Sequence, residues 1–398
     1  MKPVIGIDVA KGKSVVQCFL KRNRPVGRAE TILHTPKGFE RLKSLLIELE
    51  QQSGFKPQII LEPTGHYHRV LVQYLQREAF EVILVNPLQA QRARRTGLRK
   101  VKTDESDAWH LGDLYYQEED WLAHPLKDRA LTDLQFLTRQ HEFVTSLYVQ
   151  AKLNTRSLID QMIPGYENVF KDLFSKTSLN LLKACLSPEG IQERCDNLHE
   201  VIKEAARASR SDVWMNKKVE LMRAVCEANP VTAIGFGLRQ SLQLMLKILG
   251  EFQEQLAELE RMIYEVSQTI PQVQLLESIP GVGTKLATVM VAEIGDASQF
   301  SHPKQVVAMA GLDPSVFSSG KFTASENKIT KRGSKRLRRA AYLAVICGLR
   351  KGLNPRLRAY YDKKKSEGKP HKVAVIACAN KVLHHVYAML KKGQPYAL

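Results

Sequence analysis

The stretch PVIGIDVAKGKSVVQCFL, residues 3–20, decides the fold. Two apolar runs, PVIGIDVA and SVVQCFL, flank the turn-like AKGK, and runs of this kind split by a glycine-bearing turn predict a β-hairpin. A third strand is expected over Val26–Leu33. Between Pro36 and Gln52, Phe39, Leu42, Leu45, Leu46 and Leu49 recur at helical spacing. QIILEPTG then reads as a buried strand ending in a turn, Tyr67–Glu78 as a helix, and EVILVNP as another buried strand. Strands alternating with helices predict a layered α/β domain.

The first strand carries an acid, Asp8, at or near its end, and Glu62 follows the apolar IIL. An unpaired charge on a buried strand is costly, so two such acids suggest a shared cation. KVKTDESDAWHLGDL adds Asp104 and Asp107, spaced i, i+3 on one side of a helix start. Asp104 is alternatively an N-cap, preceded by Thr103. Four acids from three segments suit one or two Mg²⁺ ions held by oxygen ligands, and two such ions favour phosphodiester chemistry. Each acid alone would read as a turn or solvated residue; the ordered set is far more specific. Glu105 and Asp113 are read as structural. Arg92, Arg94, Arg95, Arg99, Lys100 and Lys102 directly precede the acidic pair, as a segment delivering nucleic acid would.

The chain has 398 residues and a net charge of +18. From Lys321 onward there are 20 lysines and arginines against three acids, Glu326, Asp362 and Glu367. A field so concentrated attracts a polyanion. Apolar residues such as Leu337, Tyr342, Leu343 and Ile346 recur through it, so it is a folded basic domain and not a tail. No run of 18 apolar residues occurs, so no membrane span is expected. The N-terminus reads as a strand and not as a signal peptide. Cys18, Cys185, Cys195, Cys226, Cys347 and Cys378 form no C-x-x-C pair and have no zinc spacing, which fits reduced thiols in a cytosolic protein.

In the middle of the chain a long helix is expected over 127–163. Residues 165–235 are helical by composition but poorly patterned. Leu238, Leu242, Met245, Leu249, Phe252, Leu256, Leu259, Ile263 and Val266 alternate steps of four and three, a coiled-coil seam within the chain or between chains. Within 272–295, LLESIPGVGTKLATVMVAEIG has two helical stretches around Pro280-Gly281-Val282-Gly283, which resembles a helix-hairpin-helix. In such a motif the backbone at Gly281 and Gly283 would meet nucleic-acid phosphate. Farther on, Ser318-Ser319-Gly320 lies in a loop before a basic helix. A serine can attack phosphorus and hold DNA covalently without an external cofactor, although such triplets usually only turn the chain.

These pieces together resemble the DEDD transposases of bacterial insertion sequences. GIDVAK, LEPTGHY, KTDESDA, SIPGVG and AGLDPSVFSSGK…ITKRGSKRLR carry the likeness, in family order and at both ends of the chain. The resemblance implies an RNase H-type, RuvC-like α/β domain over 1–125 with Asp8, Glu62, Asp104 and Asp107 as its metal tetrad. It implies a long helical coiled-coil middle over 126–270, with a possible insertion at 165–235. A mostly helical basic domain over 271–398 would carry the catalytic serine, Ser319 first and Ser318 second. The cofactor would be Mg²⁺, with Mn²⁺ able to replace it. The partners would be donor and target DNA and a structured bridge RNA. Homodimers would assemble to a tetramer with composite sites, in a bacterial cytoplasm. Lys321, Lys328, Lys331, Arg332, Lys335, Arg336, Arg338 and Arg339 would contact RNA or DNA backbone.

Three rival readings are weaker. A hydrolytic nuclease or junction resolvase would use the acids and water and leave Ser319 structural. A basic scaffold or RNA chaperone makes the four acids accidental. A sugar-kinase-like ATPase lacks a second glycine-rich phosphate loop.

Overall fold

The computed structural model describes residues 2–85, 90, 103–117, 121, 128–186, 197–206, 210–228, 235–315, 318–319, 322–323 and 328–397. The chain divides into two compact units, Met1–Lys127 and Asp128–Leu398.

The first unit is built on a five-stranded sheet: β1 (Val4–Ala10), β2 (Lys13–Lys21), β3 (Arg24–Leu33), β4 (Gln58–Leu61) and β5 (Val82–Leu84), in the order β3-β2-β1-β4-β5. The first three strands form an antiparallel meander, and β4 and β5 join parallel to β1. The burial of β1 on both faces explains its unbroken apolar run. β3 is the edge and is mostly exposed, and register shifts bend its pairing with β2.

Helices cover both faces. α1 (Pro36–Ser53) and α2 (His68–Arg77) pack through Leu42, Leu46, Leu71 and Leu75 on one face, against Ile5, Ile7, Ile59 and Leu61. α1 is bounded by the Thr35 cap, Pro36 in the first turn and a left-handed Gly54. α3 (Asp104–Gln117) covers the other face through Leu111, Leu114 and Tyr116, against Val4, Phe19 and Ile60.

The approach of α3 to the sheet is close because two glycines permit it. A Cβ on Gly6 would lie 2.2 Å from the Ala108 carbonyl oxygen, and one on Gly112 would lie 2.2 Å from the Phe19 ring. Glycine in a strand interior commonly marks a close backbone approach of this kind.

The second unit rests on two long helices, α4 (Arg129–Met162) and α8 (Phe236–Gln268), each about 50 Å long. They run antiparallel: the Gln253 amide donates to Tyr148 Oη at 2.8 Å, and His141 Nε2 lies 3.4 Å from Glu260. The residues of the Leu238–Val266 seam are buried or half-buried, and the partner is α4 of the same chain. The seam is therefore occupied within the chain.

At one end of the pair, η1 (Tyr166–Asn168), α5 (Lys176–Cys185), α6 (Leu198–Ala206) and α7 (Asp212–Ala228) share a core with Ile159, Met162, Leu242 and Leu246. The described residues of 165–235 thus make a packed helical end. Two of the helices there, of 10 and 9 residues, are shorter than the stretch over which a helical period shows clearly.

At the other end Leu134 enters a separate core. That core is built by α9 (Pro271–Glu277), α10 (Thr284–Ile294), α11 (Pro303–Met309), α12 (Lys335–Gly348), α13 (Pro355–Ser366) and α14 (His371–Lys392). α14 is the one helix among the described residues long and apolar enough to cross a membrane. Val375, Cys378, Ala379, Leu383 and Val386 are buried in this core instead. Cys18, Cys226, Cys347 and Cys378 are free thiols, and burial pushes Cys18 up to about 12 and Cys378 up to about 11. Both stay protonated and unreactive near neutrality.

Gly6→Ala forces a methyl group into the Ala108 backbone. Overpacking of this kind costs about 1–3 kcal/mol, so thermal unfolding should show a midpoint several degrees lower, whereas Gly12→Ala, in open space but at positive φ, tests strain without a clash.

Candidate functional site

Alternation along β1 settles which way Asp8 faces. Ile5, Ile7 and Val9 face α1 and α2, so Gly6 and Asp8 face α3. On β4, Ile59 and Leu61 face α1 and α2 and Ile60 faces α3, and Glu62 directly follows the last residue of the strand. The parallel register pairs Ile7 with Leu61, and the next residue on each strand is the acid. Asp8 and Glu62 are thus neighbours at the carboxyl ends of adjacent parallel strands, both half-buried.

α3 runs antiparallel to β1. Gly112 meets Phe19, which pairs with Val4; Ala108 meets Gly6; Asp104 reaches Lys13, which pairs with Ala10. The first turn of the helix therefore lies over the strand end that bears Asp8. Asp107 is 7% exposed there, and Asp104 is exposed.

The helix start is capped by Thr103 and not by Asp104, which corrects the alternative reading of Asp104. Ser106 N–H donates to Thr103 Oγ1 at 3.1 Å, and Thr103 N–H donates to Ser106 Oγ at 3.0 Å. This reciprocal box leaves the Asp104 carboxylate free of capping duty. Its partner is Lys13 Nζ at 3.4 Å, in an exposed pair of small worth that an incoming group can displace. Asp113 pairs with Arg22 at 3.2 Å, which accords with its structural reading.

Among the described residues no three His, Cys, Asp or Glu side chains are gathered in metal-holding geometry. The backbone brings the four acids to one strand end, and their donor atoms are all carboxylate oxygens. That donor set fits a hard divalent cation.

In the second unit the hairpin 278–283 joins α9 and α10. Gly281, at φ +99, is not an open contact: its Cα hydrogens face the backbone of Gly348 in α12, where a Cβ would lie 2.5 Å from the Gly348 nitrogen. Gly283 is exposed and has open space on its Cβ side, and it caps α10. Of the two glycines Gly283 is the open one, while Gly281 packs the hairpin onto α12.

Lys328, Lys331, Arg332, Lys335 and Arg339 are exposed around the start of α12. Arg336 is half-buried in an ion pair with Glu142, and Arg338 donates to the Ala310 carbonyl at 2.7 Å, so both are engaged in structure. Ser318 and Ser319 pair their backbone with Phe322–Thr323 as strands β6 and β7; their side chains fall outside the described structure. Arg94, Arg95, Arg99, Lys102 and Lys321 lie outside the described residues altogether.

A network that the sequence did not signal holds the basic helix in place. Glu293, 3% exposed at the end of α10, accepts from Arg139 Nε at 2.8 Å and from Ser334 Oγ at 2.6 Å. Ser334 is also the N-cap of α12. Burial alone would raise the Glu293 carboxyl, but the bonds from Arg139 and Ser334, with the charges of Arg139 and Arg336, hold it below the ordinary carboxylate range.

Glu293→Gln leaves Arg139 without its counter-charge. The expected loss is about 2–4 kcal/mol, tempered because the Arg139 side chain is 37% exposed. A group depressed in the folded state binds fewer protons than in the unfolded chain, so its contribution is present above pH about 4.5 and is lost as pH falls through the folded value. Denaturant unfolding from pH 7 to 3 should therefore show a flatter acid limb in Glu293→Gln than in the wild type.

Comparison with known proteins agrees with this arrangement. A DEDD family model described as a transposase matches residues 5–164, and a model of the IS116/IS110/IS902 transposase family matches residues 273–362. The pilin gene-inverting protein of Moraxella lacunata is 24% identical over 99% of this chain and 98% of its own length. The 43.6 kDa protein of insertion element IS110 from Streptomyces coelicolor is 25% identical over 75% of this chain and 72% of its own length. A transposase of insertion sequence element IS1111A from Coxiella burnetii is 30% identical over 36% of this chain and 39% of its own. With the acids at one strand end and both family models matched in order, the chain belongs to the DEDD-type insertion-sequence transposases, enzymes that cut and recombine DNA.

Proposed function

We propose that this transposase cuts and rejoins DNA by transesterification, with a cation held by Asp8, Glu62, Asp104 and Asp107 and with Ser319 as nucleophile. The observation that carries the reading is the convergence of Asp8, Glu62 and the first turn of α3 at one end of the parallel strands. The sheet order, a three-stranded meander continued by two parallel strands, supports an RNase H-like, RuvC-type domain. A bound Mg²⁺, one ion or two, or Mn²⁺ in its place, supplies charge stabilisation at the phosphodiester oxygens.

The serine does the bond exchange. Its Oγ–P bond forms as the P–O bond to one sugar breaks; the hydroxyl proton leaves to a base, and the departing sugar oxygen takes up a proton. The phosphodiester energy is kept in the phosphoserine link, so rejoining needs no external cofactor. Full-length likeness to a protein named for gene inversion favours rejoining over simple hydrolysis.

Lys328, Lys331, Arg332, Lys335 and Arg339 bind phosphate of donor and target DNA and of a structured guide RNA. Their exposure and the local excess of positive charge support this role. Assembly through dimers to a tetramer belongs to the same reading. The α4–α8 seam is filled within the chain, so assembly uses other surfaces.

The test is a denaturing gel of the full chain, its element's RNA, Mg²⁺ and a labelled DNA junction. A slow-migrating covalent adduct is expected from the wild type and from Ser318→Ala. Ser319→Ala and Asp8→Asn should each reduce it by at least about 1000-fold, the scale on which loss of a nucleophile acts. Free cleaved ends from Ser319→Ala, absent from Asp8→Asn, would instead establish a water-using nuclease.

A further inference from the structure

A cavity of about 500 Å³ opens in the C-terminal core, away from the start of α12. Its floor is apolar, from Ile279, Leu357 and Val382. Its walls carry Arg356, Tyr360 and Lys363 from α13, Lys381 and His385 from α14, and Tyr396. No acid lines it. On α13, Arg358 pairs with Asp362 at 2.9 Å and Lys364 with Glu367 at 2.7 Å. Lys363 and Lys381 are both exposed, and Lys363 has only the charge of Glu367, already bonded to Lys364, close by. Three cations around one apolar hollow make a local field that favours an anion.

The walls are fixed, and they are aromatic. The Tyr396 N–H donates to Ser278 Oγ at 2.9 Å, and Arg356 Nη1 donates to the Ala397 carbonyl at 3.0 Å. The Tyr396 ring meets His385 edge-on, with centroids 5.5 Å apart. Burial, then the charges of Lys381 and Arg356 and the neighbouring His384, hold the His385 imidazole below its ordinary pKa. At neutral pH it is therefore an uncharged ring with one donor and one acceptor. The hollow also abuts the hairpin: Ile279 lines it, and the Asn354 amide donates to the Pro280 carbonyl at 3.3 Å.

We propose that this cavity binds an unpaired nucleotide of a nucleic-acid strand, its base against Tyr396 and His385 and its phosphates on Lys363, Lys381 and Arg356. The volume suits a base and sugar with room for water, within the ordinary range of small-ligand sites. Aromatic stacking with cations along the backbone is the usual means of holding single strands, and it tolerates any base. A duplex cannot enter, because a paired base cannot leave its stack without cost. The strand is RNA or DNA, since the chemistry read here is common to both. Binding alone is at issue, so the proposal stands or falls apart from the serine chemistry.

The probe is a single strand of about eight nucleotides, the scale of one single-strand site, carrying 2-aminopurine, made as DNA and as RNA. Affinity is followed by anisotropy over a salt series with the full chain. In Lys363→Glu/Lys381→Glu the affinity for the preferred strand should fall at least tenfold. In Lys363→Ala and Lys381→Ala the slope of log K against log salt should fall by about 0.7 each. Lys351→Glu/Lys372→Glu, which changes exposed positions outside the cavity by the same charge, should have a much smaller effect. Tyr396→Leu should restore the 2-aminopurine emission quenched in the wild-type complex. Tighter binding of RNA would point to the guide strand as the source, and tighter binding of DNA to a displaced DNA strand. Equal loss in the two double variants, equal loss of duplex binding in the pocket variant, or emission unchanged by Tyr396→Leu would overturn the proposal.

Discussion

The approach of α3 to β1 is the constraint on which the acid-bearing end of the first unit depends. Gly6 and Gly112 remove the side chains that would separate helix from sheet, and the Ala108 backbone fills the gap. With that spacing set and the helix antiparallel to the strand, its first turn falls over Asp8 and Glu62. Hydrophobic packing of Leu111 and Leu114 on Val4 and Ile60 holds the helix down. The acids are carried on rigid elements in this way, and the reciprocal Thr103–Ser106 cap keeps Asp104 out of local structural service.

The second unit solves a different problem: presenting many cations on a folded surface without self-repulsion unfolding it. Some of the charge is absorbed internally. Arg139 is neutralised by Glu293, Arg336 by Glu142, Arg358 by Asp362 and Lys364 by Glu367. Arg338 is spent on the Ala310 carbonyl. Among the cations left exposed are those at the start of α12 and around the C-terminal hollow, the two surfaces proposed above to bind phosphate. Glu293 joins the two roles, since one carboxylate both anchors α4 to α10 and fixes the cap of the basic helix.

Much of this was legible in the residues, because local pattern and tertiary role coincide there. The hairpin, the parallel strands and α1 follow from period and turn chemistry, and the acids stood out because charge on a buried strand is anomalous. The seam of α8 was visible too, but periodicity says that a stripe is buried and not what buries it; α4 of the same chain does. Gly281 and Arg336 show a related limit. A glycine turn and an arginine on a basic helix look alike in sequence whether they face solvent or a neighbouring element, and here Gly348 and Glu142 face them. The Glu293 network joins residues far apart in the chain, so no local signal announced it. The two short helices between 176 and 206 gave too few turns to show a period.

The account rests on four acids acting as one cation site, and direct metal binding tests that most simply. Mn²⁺ titrated into the full chain and followed by electron paramagnetic resonance should show saturable binding that is lost or much weakened in Asp8→Asn and in Asp107→Asn, and kept in Asp113→Asn. Equal Mn²⁺ binding by all of these proteins would contradict the account, because the strand-end acids would then not be the ligands.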